Sequence, residues 1–199
     1  QLMGISFVLY GTVRGLDKPW QGGAWTGLGI MVLALSSNLY LTILVALATV
    51  SAVFISNARL RFRWSLTSVV LGLIGFALWP LLWSLFDLNE SQRANALDAW
   101  LNVPPMQSSP SAESMGFLGV NFWLYAWPVW PLALVAMVHW AREKSAGSWR
   151  APHLCIPLGL ILSGIIYVLL RVDANEHDLI VLIPPMAILA IFSLPILKR

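Results

Sequence analysis

Apolar residues in this chain come in long blocks, broken at intervals by charges or by clusters of proline, glycine and serine. The blocks cover about 1–13, 22–36, 39–56, 65–86, 119–140, 153–170 and 179–197. A helix needs about 20 apolar residues to cross a bilayer, so seven crossings use roughly 140. The stretch from Gly22 to Ile55 is too long for one crossing, and polar Ser36-Ser37-Asn38 sits at its middle. Two short helices meeting at that break explain it; one long tilted helix is the alternative. Between the fourth and fifth blocks lies a polar connector at about 87–118. Its first half predicts a helix, with Asn89 as cap and Gln92 three residues on. There Ala94, Leu97, Trp100 and Leu101 share a face, which suits a helix lying in a headgroup layer. Its second half, Pro104 to Ser111, has no period and predicts a loop.

Composition sharpens this picture. The chain is 199 residues long, 58% hydrophobic and 11% charged. Soluble domains are about a quarter charged, so the expected class is an all-α, polytopic transmembrane helical bundle. Charge sets its orientation. With the N-terminus outside and about seven spans, the inner connectors hold Arg14, Lys18, Arg59, Arg61, Arg63, Arg142, Lys144, Arg150, Lys198 and Arg199. Only Arg93 and Arg171 remain outside, as the positive-inside rule requires. The C-terminus is then inside. Seven acids, from Asp87 to Asp178, lie outside. If 22–55 were one span, the basic bias would split. Gln1 opens directly into an apolar run with no signal-peptide pattern. The chain therefore reads as a single transmembrane domain, 1–199, forming the C-terminal part of a longer protein. Cys155 is the one cysteine, so no intramolecular disulfide can form.

The eleven tryptophans suit an aromatic belt or helix packing. Trp20, Trp64, Trp140 and Trp149 fall near the inner interface, and Trp83, Trp100 and Trp123 near the outer. Prolines within blocks, among them Pro128, Pro131, Pro157, Pro184 and Pro185, predict kinks. Gly27-Leu28-Gly29 reads as close helix packing by small residues. His139, His153 and His177 lie in separate segments, so no metal-ligand spacing is present. No basic stripe with interleaved aromatics points to nucleic acid. The densest polar cluster is Arg171-Val172-Asp173-Ala174-Asn175-Glu176-His177-Asp178. Arg171 and His177 suit a lipid phosphate there, because a guanidinium donates two parallel hydrogen bonds. A solvated hairpin loop is the other reading. Ser37 and Asn38 would line the same outer cavity, or simply form a polar turn.

Three segments carry a resemblance. Asn121 to Leu134 (NFWLYAWPVWPLAL), Glu176 to Ala190 (EHDLIVLIPPMAILA) and Pro19 to Ala24 with Gly27 to Ile30 occur in this order. Together they resemble bacterial membrane glycosyltransferases of the GT-C class, relatives of the aminoarabinose-lipid A transferase and the dolichyl-phosphate-mannose–protein mannosyltransferases. The resemblance implies transfer of a sugar from a polyprenyl-phosphate donor to a lipid or glycan acceptor at the extracytoplasmic face of a bacterial inner membrane. It also places the family's catalytic acid in a first outer loop, upstream of this chain. The family's Lys-Gly pair aligns with Ser37 and Asn38, and its late Arg, Tyr and first Pro align with Asn175, Asp178 and Val181. The expected substrate-binding residues are Arg171, Glu176, His177, Arg93, Ser37 and Asn38. Arg171 is expected on the donor phosphate, aided by His177 or Arg93. Glu176 would orient the sugar or a metal-bound water, although no cofactor is evident and a divalent metal has no support in the ligand pattern. Membrane lipids are the remaining expected partner. The rivals are a non-catalytic scaffold or partner subunit and a transporter of a lipid-linked solute. A transporter predicts ionisable residues within spans, and these are nearly lacking.

Overall fold

The apolar blocks become helices. The computed structural model describes residues 1–36, 39–55, 61–85, 89–101, 109–142, 152–172 and 174–197, and their regular structure is helical throughout. In chain order these are α1 (Leu2–Gly15), α2 (Pro19–Ser36), α3 (Leu39–Ile55), α4 (Arg61–Leu85) and α5 (Glu90–Leu101). After them come α6 (Ala112–Tyr125), α7 (Val129–Arg142), α8 (Pro152–Leu170), α9 (Glu176–Leu179), a 3-10 turn (Ile180–Leu182) and α10 (Ile183–Leu197). The chain divides into two compact units. The first holds α1, α2, α3 as far as Val50, α4 and α5; the second holds α6 to α10.

In the first unit, Lys18 N–H closes the α1–α2 corner by donating to the Arg14 carbonyl at 3.0 Å. Pro19 then opens α2, where an absent N–H leaves no helical bond unmade. Helix α2 packs on α1 with one face and on α4 with another. Both contacts are made by small residues. A Cβ on Gly22 would collide with the Gly15 backbone, and one on Gly11 with Thr26. On the other face, a Cβ on Gly23 would collide with Thr67 of α4. The sequence expectation of small-residue packing therefore holds at Gly27, whose Cβ would stand 2.5 Å from Leu71, and at Gly29, against Val8.

Polar groups inside this unit are hydroxyls that bond to their own helix. Thr12 donates to Val8 at 2.9 Å, Thr26 to Gly22 at 2.9 Å and Ser68 to Trp64 at 2.7 Å. Trp64 is a correction to the belt assignment. Its ring is buried, and its indole N–H donates to Thr26 Oγ1 at 3.2 Å. Trp100 also packs, donating to the Ala34 carbonyl at 2.8 Å from α5. Asn89 N–H donates to Gln92 Oε1 at 3.1 Å, one half of the expected capping pair. Ile5, Leu9, Leu33 and Leu41 are buried in this unit, while other large apolar side chains face outward. Leu47 and Leu73 are 62% and 61% exposed.

The second unit is built on α10, which packs most closely on α7. Ala133 and Ala136 of α7 are buried, as are Met186 and Leu189 of α10. The block at 119–140 is not one rod. Its α6 starts earlier, at Ala112, where Ser111 Oγ caps the Ser114 N–H at 3.0 Å. It then stops at residues 126–128 and restarts as α7, bent by 99°. Pro128 disfavours helical backbone in the residue before it, and the Ala126 carbonyl accepts from both Val129 and Trp130 to start the new helix. Pro184 and Pro185 likewise do not kink a helix interior. They fall in the first turn of α10, after the 3-10 turn, where missing N–H groups are tolerated. Over the described residues no single helix is long and apolar enough to cross a membrane, and α6 with α7 is so only as a bent pair.

These contacts make glycine replacement strongly position-dependent. Gly22→Ala should cost about 3 kcal/mol or more, the upper end of overpacking, because backbone rather than a side-chain tip blocks it. Gly116→Ala in α6, with nothing within 4 Å of its Cβ position, should be neutral or stabilising by about 0.5–1 kcal/mol. Thermal unfolding of both variants in detergent measures the contrast, and equal midpoints would refute the packing account.

Candidate functional site

The charged cluster after α8 folds into a tight corner of the second unit. Asn175 caps α9: its side chain accepts from the Asp178 N–H, and its own N–H donates to Asp178 Oδ2 at 3.0 Å. This reciprocal box fixes Asp178 at the chain's turn. Its other oxygen receives Arg171 Nη1, forming an ion pair between side chains only 17% and 8% exposed. Arg171 Nη1 also donates to Tyr167 Oη at 3.3 Å, one helical turn back on α8. The guanidinium carbon stands 5.8 Å from the Tyr167 ring centroid. Arg171 Nε is buried without a hydrogen-bond partner. The corner is tied to α6 by Ser114 Oγ, which donates to the Arg171 carbonyl at 3.1 Å.

Two hollows flank α6 at this corner. A polar cup of about 350 Å³ is lined by Glu113, Ser114, Phe117, Val172, Ala174 and Asn175. An apolar groove of about 350 Å³ runs beside Met115, Leu118, Gly119, Phe122 and Trp123 of α6 and Ile165 and Leu169 of α8. They come within one residue of each other in the first turn of α6, where Ser114 lines the cup and Met115 the groove. The cup offers a carboxylate, a carboxamide and an aromatic ring, a set that suits a hydroxylated ligand. The groove offers hydrocarbon only.

The expected site residues are distributed unevenly. Arg171, Glu176 and His177 fall within this corner, but Glu176 and His177 are exposed and Arg171 already has an acidic partner. Arg93 is exposed on α5 in the first unit. Ser37 and Asn38 lie outside the described residues. Asp178, Tyr167, Glu113 and Phe117 were not singled out from sequence. The four-residue spacing of Tyr167 and Arg171, and the Asn-x-x-Asp cap, were the signals available. Among the described residues no group of His, Cys, Asp and Glu is arranged to hold a metal ion. No family model matches the chain, and neither a curated protein nor a solved structure is significantly similar to it.

Removing one partner of the Arg171–Asp178 pair strands the other. Asp178→Ala should destabilise the second unit by about 2–3 kcal/mol, somewhat under the range for a fully buried pair because the guanidinium is partly exposed. The double variant Arg171→Met with Asp178→Leu should recover most of that loss. Denaturation midpoints of the three proteins check this; a double variant no better than the single would show that the pair is not what holds the corner.

Proposed function

We propose that the chain is the membrane-embedded portion of a bacterial inner-membrane glycosyltransferase, and that it binds a polyprenyl-phosphate-linked sugar at its extracytoplasmic side. The observation that carries this is the α6–α8 corner. The apolar groove reaches Leu169, the polar cup reaches Val172, and Arg171, whose Nε has no partner, lies between them in the chain. Such a ligand has the same three parts: hydrocarbon, sugar and phosphate. The prenyl chain would lie along Leu118, Phe122 and Ile165. The sugar would enter the cup at Glu113 and Asn175. The phosphate would draw on Arg171, whose charge Asp178 holds in place until a stronger anion shares it.

Membrane residence is supported by the distribution of side chains. Glycines make the closest helix contacts of the first unit, and besides the buried leucines and valines a set of large apolar side chains faces outward; Leu124 and Trp127 are 75% and 66% exposed. Small residues at helix contacts are the usual solution where the surroundings are as apolar as leucine. The GT-C resemblance would put the catalytic acid in a first outer loop, so under this proposal the residues of the corner supply donor binding rather than the base. A scaffold subunit is the second reading, favoured by the existing Arg171–Asp178 pair.

Binding of a radiolabelled polyprenyl-phosphate sugar to the purified chain in nanodiscs separates them. Arg171→Ala should weaken binding by about tenfold or more, the worth of a charge-assisted hydrogen bond, while helical content is retained. Saturable binding that Arg171→Ala leaves unchanged would remove Arg171 from the site. No binding by either protein would favour the scaffold.

A further inference from the structure

A second hollow lies in the first unit, far in sequence from the corner just described. A cavity of about 160 Å³ opens between α2, α3 and α4. Thr26, Ala46, Thr49, Val69 and Leu73 are among its walls, and Trp64 closes one end. Its lining is almost wholly hydrocarbon, and the hydroxyls of Thr26, Thr49 and Ser68 already donate to backbone carbonyls. Thr26 and Thr49 donate to Gly22 and Val45 of their own helices, at 2.9 and 2.7 Å, and Trp64 uses its N–H on Thr26. Water needs two to four polar partners to occupy a cavity, and an apolar cavity of this size stays dry and takes hydrocarbon. Val69 and Leu73, 51% and 61% exposed, lie along its open side.

Cations gather at the end of the unit where Trp64 lies. Arg63 precedes Trp64 on α4, and Gly15 packs against the Trp64 ring. That contact brings Arg63 to the end of the unit where Arg14 and Lys18 form the α1–α2 corner. Asp17 is the acid in that corner. Arg63 and Lys18 are exposed, and none of the three cations forms an ion pair among the described residues. Hydrocarbon space ending at a net positive rim complements an amphiphile with an anionic head.

We propose that the first unit holds one anionic phospholipid, part of an acyl chain in the α2–α3–α4 cavity and the phosphate at Arg63, Lys18 and Arg14. The proposal rests on the membrane assignment above, but not on the transferase activity. Each cation near such a headgroup contributes about 1 kcal/mol, equal to roughly a fivefold change in occupancy.

The test is native mass spectrometry of the full chain, extracted in detergent and supplied with phosphatidylglycerol or phosphatidylcholine of equal acyl length. One phosphatidylglycerol should be retained per chain, in preference to phosphatidylcholine. The double variant Arg63→Gln with Lys18→Gln should lose about thirtyfold in phosphatidylglycerol occupancy and leave phosphatidylcholine unaffected. Ala46→Phe, which fills the cavity, should abolish retention of both, with helical content unchanged by circular dichroism. Excess glycerol phosphate should displace neither. Equal retention of the two lipids, retention by Ala46→Phe, displacement by glycerol phosphate, or a lipid-free dimer using this face would each overturn the proposal. Alkaline carbonate extraction of cell membranes distinguishes the levels. A chain released by carbonate overturns the membrane assignment and the lipid site together. A chain that stays in the membrane yet retains no phosphatidylglycerol overturns the lipid site alone.

Discussion

Where α2 meets α1, two backbones touch with almost no side chain between them. Gly11 and Gly15 on one helix and Gly22 on the other leave no room for even a methyl group. Contacts of this kind gain dispersion energy and weak Cα–H bonds to carbonyls rather than large apolar burial. They also free the larger side chains to face away from the helix contacts. The rest of the first unit follows from this. Because Gly23 gives α4 the same closeness on the other face of α2, Trp64 is drawn inside and finds Thr26. The cavity beside it is what remains when α2 and α4 are held so near each other and α3 is not.

The second unit solves a different problem. Its connection from α8 to α10 is short and charged, and it must turn without leaving a cation unpaired in a half-buried place. Asp178 meets two demands at once, capping its own helix through one oxygen and holding Arg171 through the other. That economy has a cost for ligand binding. An anion arriving at Arg171 competes with a carboxylate already fixed there by Asn175. Under the proposed function, selectivity would favour ligands that bring both strong negative charge and apolar area, since charge alone would have to displace a well-placed partner.

Much of the helix plan was legible because the signals are local. Polar residues at 36–38 marked the boundary between α2 and α3, and Asn89 with Gln92 marked the start of α5, whereas α2 begins at Pro19, three residues before its apolar block. What stayed hidden depends on the third dimension. Pro128 and Pro131 were visible, but a kink and a 99° restart look alike in sequence. Trp64 sits beside three arginines, which suggests an interface; only the space left by Gly15 and Gly23 shows why it is interior. Arg171 and Asp178 are seven residues apart with a turn between them, so no helical or strand period links them. Glu113 and Phe117 joined the candidate site only when α6 began seven residues before its apolar block.

The bend after α6 has a consequence for whatever surrounds it. Each leg has 14 residues, about 21 Å of helix at 1.5 Å per residue. A bilayer's hydrocarbon core is about 30 Å thick. Under the membrane assignment, neither leg reaches across alone, and Pro128 at the elbow has no N–H to continue the helical ladder. The lipid beside this unit must therefore thin to meet it, at a fraction of a kcal/mol for each ångström of mismatch. Under that assignment the protein's environment would be a matter of thickness as much as of chemistry.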